Sequence, residues 1–69
     1  MNKRNNLITF RKSIGLTIGD MAEKLECTRA YYNNVELGKN TGSIDFWEHF
    51  QEVFGVESYD MWDLLKKGN

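Results

Sequence analysis

The chain has no proline, one cysteine and one histidine. It also has no Pro-rich linker, repeat or low-complexity tract, so no internal domain boundary is expected. A lone Cys27 forms no internal disulfide, and small secreted domains usually carry several, so a reducing cytoplasm is the expected location. One His and one Cys are too few for a structural zinc site. The longest apolar run is three residues, Ala30 to Tyr32, which fits neither a membrane span nor a signal peptide. No metal, cofactor or membrane partner is expected. Enzyme constellations are missing too. His49 sits between Glu48 and Phe50 on the expected solvated side of a helix, with no Ser or Cys placed beside it by a recognisable motif. Gly15 and Gly19, or Gly38 and Gly42, lack the strand and the Lys-Ser/Thr pair of a phosphate loop. No catalytic residue is assigned and an enzyme is not expected.

What is present is a single domain spanning residues 1–69 with ordinary globular composition, 41% hydrophobic and 28% charged. A chain this short buries only about 60% of its unfolded surface, so its core is thin. The net charge of −1 hides a division. Residues 1–39 carry seven Lys/Arg against four Asp/Glu, a balance of +3, and residues 40–69 carry two against six, a balance of −4. Such asymmetry points to a partner surface on one half.

Apolar residues recur at helical spacing throughout, and strand alternation is weak. Leu7, Phe10 and Ile14 mark a first helix over about residues 4–13, stopped by Gly15. Thr17 with Asp20 opens a second, striped by Ile18, Met21, Ala22 and Leu25. Thr28 caps a third, with Tyr32 and Val35 inward, ended by Gly38. Ser43 caps a fourth, where Ile44, Trp47, Phe50 and Phe54 share a face, and Gly55 ends it. Ser58 starts a fifth carrying Met61, Trp62 and Leu65. The expected class is an all-α, five-helix domain whose core takes much of its volume from Tyr32, Phe50, Phe54 and Trp62.

Thr17 to Lys39 is the most informative stretch. Two short Thr-capped helices flank a tight turn at Glu26-Cys27, and small Ala22 stands where they would cross, which is a helix-turn-helix pattern. The segment LTIGDMAEKLECTRAYYNNVELGK resembles the XRE family of phage-repressor and Cro-type DNA-binding domains. The likeness is carried by Leu16, Thr17, Met21, Ala22, Leu25, Thr28, Tyr32, Val35, Glu36, Gly38 and Lys39, and extends over about residues 7–65. It implies a compact lambda-repressor-like fold and a dimeric, sequence-specific transcriptional regulator of operator DNA, a small repressor that is cytoplasmic and of bacterial or phage origin.

On a 100° helical wheel, Tyr32, Val35 and Glu36 fall on one side of the third helix, and Ala30, Asn33, Asn34 and Leu37 on the other, flanked by Arg29 and Tyr31. Asn pairs bidentately with adenine, Arg with guanine, and Ala meets the thymine methyl. With the resemblance, this makes Arg29, Ala30 and Asn34, then Asn33 and Tyr31, the candidate base contacts. Without it, the same residues read as a solvated face. Candidate phosphate contacts are Thr17 at the start of the second helix, Lys39, Asn40 and Thr41 after the third, and Lys12, with Lys3 and Arg4 adding charge. The resemblance also implies an Arg11–Glu36 pair. Departures from the family pattern are Ile18 in place of a phosphate-touching Gln, Glu26 in place of the turn Gly, Leu37 at a commonly polar position, and Phe46, which reads as exposed. A homodimer is expected, with Phe46, Tyr59, Met61 and Trp62 as candidate interface residues; the competing placement of Met61 and Trp62 is in the core. The alternative function is the same fold used to bind protein, as an antitoxin or anti-repressor; the aromatics and the acidic second half favour it.

Overall fold

Arg4 is the least exposed basic residue of the chain, at 2% exposure, and the helices are arranged around it. A computed structural model describes residues 3–68, apart from the side chain of Tyr59. Among them are five helices and no strand: α1 (Asn5–Ser13), α2 (Ile18–Lys24), α3 (Arg29–Glu36), α4 (Ile44–Phe54) and α5 (Ser58–Leu65). They form an all-helical globule of 27 × 26 × 24 Å. α2 packs on α3, and α1 packs on both α5 and α3. No helix among the described residues is long and apolar enough to cross a membrane.

The helix starts follow the expected caps. The Thr17 hydroxyl accepts from the Asp20 amide at 3.1 Å and the Thr17 amide donates to Asp20 Oδ2 at 3.0 Å, a complete capping box. Thr28 and Ser43 hydroxyls accept from the Tyr31 and Phe46 amides. The fifth helix is preceded by Glu57, which makes no side-chain cap bond.

The first three helices end in the same way. In α1 the Leu16 amide reaches back to Arg11 O and the Gly15 amide to Lys12 O; in α2 Cys27 reaches Ala22 O and Glu26 reaches Glu23 O; in α3 Lys39 reaches Asn34 O and Gly38 reaches Val35 O. Each is a Schellman turn, which needs a left-handed residue at its pivot. Gly15 and Gly38 supply it at φ 72° and 77°, but at the α2–α3 turn the pivot is Glu26 at φ 56°.

The core is built from Leu7, Met21, Ala22, Leu25, Tyr32, Val35, Trp47, Phe50, Met61 and Leu64, with Phe46. Aromatic rings run through it in unbroken contact: Tyr31 to Phe46 at 5.3 Å, Phe46 to Trp47 at 4.9 Å, Trp47 to Phe50 at 5.7 Å and Phe50 to Phe10 at 5.8 Å. Such pairs add about 0.5–1.5 kcal/mol each beyond area burial.

Four expectations are corrected here. Ile44, expected inward, is 77% exposed, because α4 meets the core through Phe46, Phe50 and Phe54 at i, i+4, i+8 and through Trp47. Phe46 is therefore buried, at 8% exposure, instead of standing on the surface. On α5, Met61 and Leu64 face inward and Trp62, expected in the core, is 77% exposed. Ile14 lies past the last residue of α1 and is exposed.

Glu26 sits in a conformation that costs an L-residue with a side chain about 1–2 kcal/mol. Glu26→Gly is expected to stabilise the domain, raising Tm by about 4–8 °C per kcal/mol relieved in thermal unfolding. An unchanged or lower Tm would mean that the turn holds no strain.

Candidate nucleic-acid interface

α3 is divided lengthwise. Tyr32, Val35 and Glu36 are buried, Arg29 and Ala30 are exposed, and Tyr31, Asn33 and Asn34 are half-buried. The inward side is anchored by a polar triad. Arg11 Nε donates to Glu36 Oε2 at 2.6 Å, and the Tyr32 hydroxyl donates to the same oxygen at 2.7 Å. Arg11 also donates to Leu16 O at 3.0 Å, so one side chain ties α1, the α1–α2 turn and α3 together. The bond to Glu36 holds the Arg11 pKa above its ordinary value, against the opposing effect of burial. Burial, then the Glu36 carboxylate, push the Tyr32 hydroxyl well above the usual phenol range. The Arg11–Glu36 pair that the resemblance implies is present, and the sequence gave no sign of Tyr32 as its third member.

On the outward side, the described residues offer no side-chain hydrogen bond or ion pair to Arg29, Asn33 or Asn34. Their donors and acceptors are available to an outside partner. Tyr31 is different. Its hydroxyl accepts from the Ser43 amide at 3.1 Å and its ring packs edge-on against Phe46, so it also holds the start of α4 to α3.

The segment after α3 is turned by its own side chains. Asn40 Oδ1 accepts from the Gly42 amide at 2.8 Å, and the Thr41 carbonyl accepts from Trp47 Nε1 at 3.0 Å. Gly42 is at φ 80°, and a Cβ there would fall 2.6 Å from Trp47 Nε1, so the residue serves both the turn and the indole. Lys39 and Thr41 are exposed and Asn40 is half-buried. Lys12 is exposed in the last turn of α1, and Thr17 is exposed with its hydroxyl already engaged in the α2 cap. Lys3 is exposed. Arg4 corrects the expectation that it adds surface charge: its guanidinium donates to the main-chain oxygens of Val35, Asn40, Thr41 and Leu65. Nothing in the sequence pattern marks it, because a basic residue before a first helix looks like any other.

Of the candidate dimer residues, Phe46 and Met61 are buried within the chain, the latter at 5% exposure, and are removed from the exposed surface. Trp62 stays exposed, and the Tyr59 side chain lies outside the described residues. A concavity of about 660 Å³ lies between the α2–α3 turn and α4, lined by Leu25, Cys27, Tyr31, Phe46 and His49 among others. Burial pushes the Cys27 thiol pKa up, away from the reactive thiolate. His49, expected on the solvated side, is partly enclosed, with Nε2 3.8 Å from Glu26 Oε2 and without a hydrogen-bond partner among the described residues. No group of three or more His, Cys, Asp or Glu among the described residues is placed to hold a metal.

Comparison of the chain with family models, curated proteins and solved structures found no match.

Two outcomes follow from the polar anchors. Glu36→Ala strands the Arg11 guanidinium and the Tyr32 hydroxyl, and is expected to cost about 3–5 kcal/mol. Chemical denaturation checks this; unchanged stability would show that the triad does not hold α1 to α3. Asp20 has its pKa lowered, chiefly by accepting from the Thr17 amide. A carboxylate depressed in the folded state contributes its stability above the unfolded pKa and loses it as pH falls through the folded value. Asp20→Asn is therefore expected to flatten the acid limb of a Tm-against-pH curve below about pH 4, and an identical limb would contradict it.

Proposed function

We propose that the chain is a sequence-specific double-stranded DNA-binding transcriptional regulator, a small Cro-like repressor. In this proposal α2 and α3 form a helix-turn-helix in a lambda-repressor-like arrangement, and α3 enters the major groove. The observation that carries it is the division of α3: an inward side fixed by Tyr32, Val35 and Glu36, and an outward side whose Arg29, Asn33 and Asn34 spend no side-chain bonds on the described protein. A rigidly held helix offering Arg, Ala and Asn matches the donor, acceptor and methyl pattern of base edges. In this arrangement Arg29, Ala30 and Asn34 read bases, with Asn33 beside them and Tyr31 at the edge. Lys39, with Asn40 and Thr41 whose carbonyls are held by Arg4 and Trp47, would meet phosphate, with Lys12 and Thr17 on the other flank.

The proposal includes a homodimer that reads two half-sites about one helical turn apart. Exposed Trp62 on α5 is its candidate contact. Catalysis and a cofactor form no part of it. The same exposure of Trp62, with that of Ile44, favours a second reading in which the fold binds protein, as an antitoxin or anti-repressor.

Selection from a random duplex library, at low and near-physiological salt, tests the proposal. The expected result is an enriched motif of two inverted half-sites, lost with Arg29→Ala and Asn34→Ala. With about 4–6 phosphates neutralised, log affinity should fall against log salt with a slope of about −4 to −5. No enrichment at either salt would sink the DNA reading and favour the protein-binding one. Trp62→Ser should abolish dimer formation in sedimentation while leaving the monomer folded.

A further inference from the structure

Gly19 is the second residue of α2, inside a seven-residue helix, where glycine is a poorer choice than alanine. Gly15, Gly38, Gly42 and Gly55 all stand at positive φ, so the backbone accounts for them. Gly19 does not. Its missing side chain is accounted for by Arg29. A Cβ at Gly19 would fall 2.9 Å from Arg29 Nε, 3.0 Å from Nη2 and 3.1 Å from Cζ. These near-equal distances lay the Nε–Nη2 side of the guanidinium face over the bare backbone of the first turn of α2. Thr17, Asp20 and Glu23 line a concavity together with Gly19 and Arg29. The Arg29 charge reaches the Asp20 carboxylate, helping to keep it ionised, yet no hydrogen bond or ion pair within 4 Å fixes the guanidinium to a described residue. Arg29 thus rests against the start of α2 with its donors unspent.

We propose that Gly19 is a positioning residue for Arg29: its missing side chain lets the start of α2 serve as a rest from which the guanidinium meets a guanine edge in one restricted pose. The role depends on α3 being the DNA-facing helix. An arginine loses rotamer freedom when it forms a bidentate pair, and one already restricted loses less. A Cβ at Gly19 meets only the far end of a flexible side chain, so it displaces Arg29 without breaking the fold.

The test uses the full chain and four forms: the unmodified protein, Gly19→Ala, Arg29→Ala and the double variant. Two readouts are taken, nuclear Overhauser contact between Arg29 Hε and the Gly19 Hα protons, and affinity for the duplex enriched by selection and for its copies with each guanine replaced. The contact is expected in the free protein, with the Arg29 Nε–Hε signal shifting in Gly19→Ala. Gly19→Ala should weaken binding to the enriched duplex at least about 5-fold while leaving affinity unchanged for the copy lacking the Arg29-dependent guanine. In the Arg29→Ala background, Gly19→Ala should leave affinity unaltered and raise Tm, because alanine is the better helix former. Equal weakening in both backgrounds would overturn the proposal, since Gly19 would then act without Arg29; so would unchanged base preference. If the unmodified protein enriches no duplex, the positioning role falls with the DNA reading, and an intact Arg29–Gly19 contact then identifies the DNA reading as the part that failed.

Discussion

A buried cation without a carboxylate is the constraint around which this domain closes. The Arg4 guanidinium is paired with no acidic side chain among the described residues, and donates instead to four main-chain oxygens. Two of those oxygens, Val35 and Leu65, lie in the final turns of α3 and α5, where unsatisfied carbonyls concentrate partial negative charge. The other two belong to Asn40 and Thr41. The face of Trp47, 5.6 Å away, completes the enclosure with a cation–π contact. Burial lowers the pKa, but a guanidinium remains charged, so its burial depends on those carbonyls. One side chain thereby couples the chain's first described turn, the end of α3, the α3–α4 connection and the end of α5.

The remaining polar anchors extend the same scheme. Arg11 closes α1 onto α3 through Glu36 and onto the α1–α2 turn through Leu16 O. Tyr31 closes α3 onto the first amide of the α4 cap. α3 is thus held along its length by Arg4 at one end, Tyr31 at the other and Glu36 on its inner side, while α2 covers its flank. For a domain whose total stability is only several kcal/mol, directional bonds of this kind fix helix orientation where a thin core supplies too few contacts to do so.

Much of this was legible in residue order. Thr17-Asp20, Thr28, Ser43, Gly15, Gly38 and Gly55 are local signals acting on the next three or four residues, so caps and stops were readable from sequence alone. The phase of α4 and α5 was not. Ile44, Trp47 and Phe50 fit one helical stripe and Phe46, Phe50 and Phe54 another; which one faces inward depends on Tyr31 and Trp47, which lie on a neighbouring helix and at the centre of a ring cluster. Likewise Trp62 and Met61 are adjacent, and only the packing of α5 against α1 decides which turns out. At the candidate interface, the inward and outward sides of α3 follow from periodicity. The occupation of Tyr31 by Ser43, the burial of Arg4 and the docking of Arg29 on Gly19 join residues distant in sequence through geometry that spacing does not encode.

The three Schellman endings carry a consequence for chain length. Each junction among α1, α2, α3 and the segment that follows is closed by main-chain bonds counted over fixed numbers of residues. The 40–41 segment is clamped by Arg4 and Trp47, and the α4–α5 junction by Gln51, whose side chain donates to Val56 O. No connection holds slack. Glu26 shows that one pivot takes a residue other than glycine, whereas Gly42 has no room for a side chain, and at each junction the bonds set the number of residues. An inserted residue would have to break a helix end or a clamp instead of extending a loop. The domain is therefore intolerant of insertion at the junctions between α1 and α5.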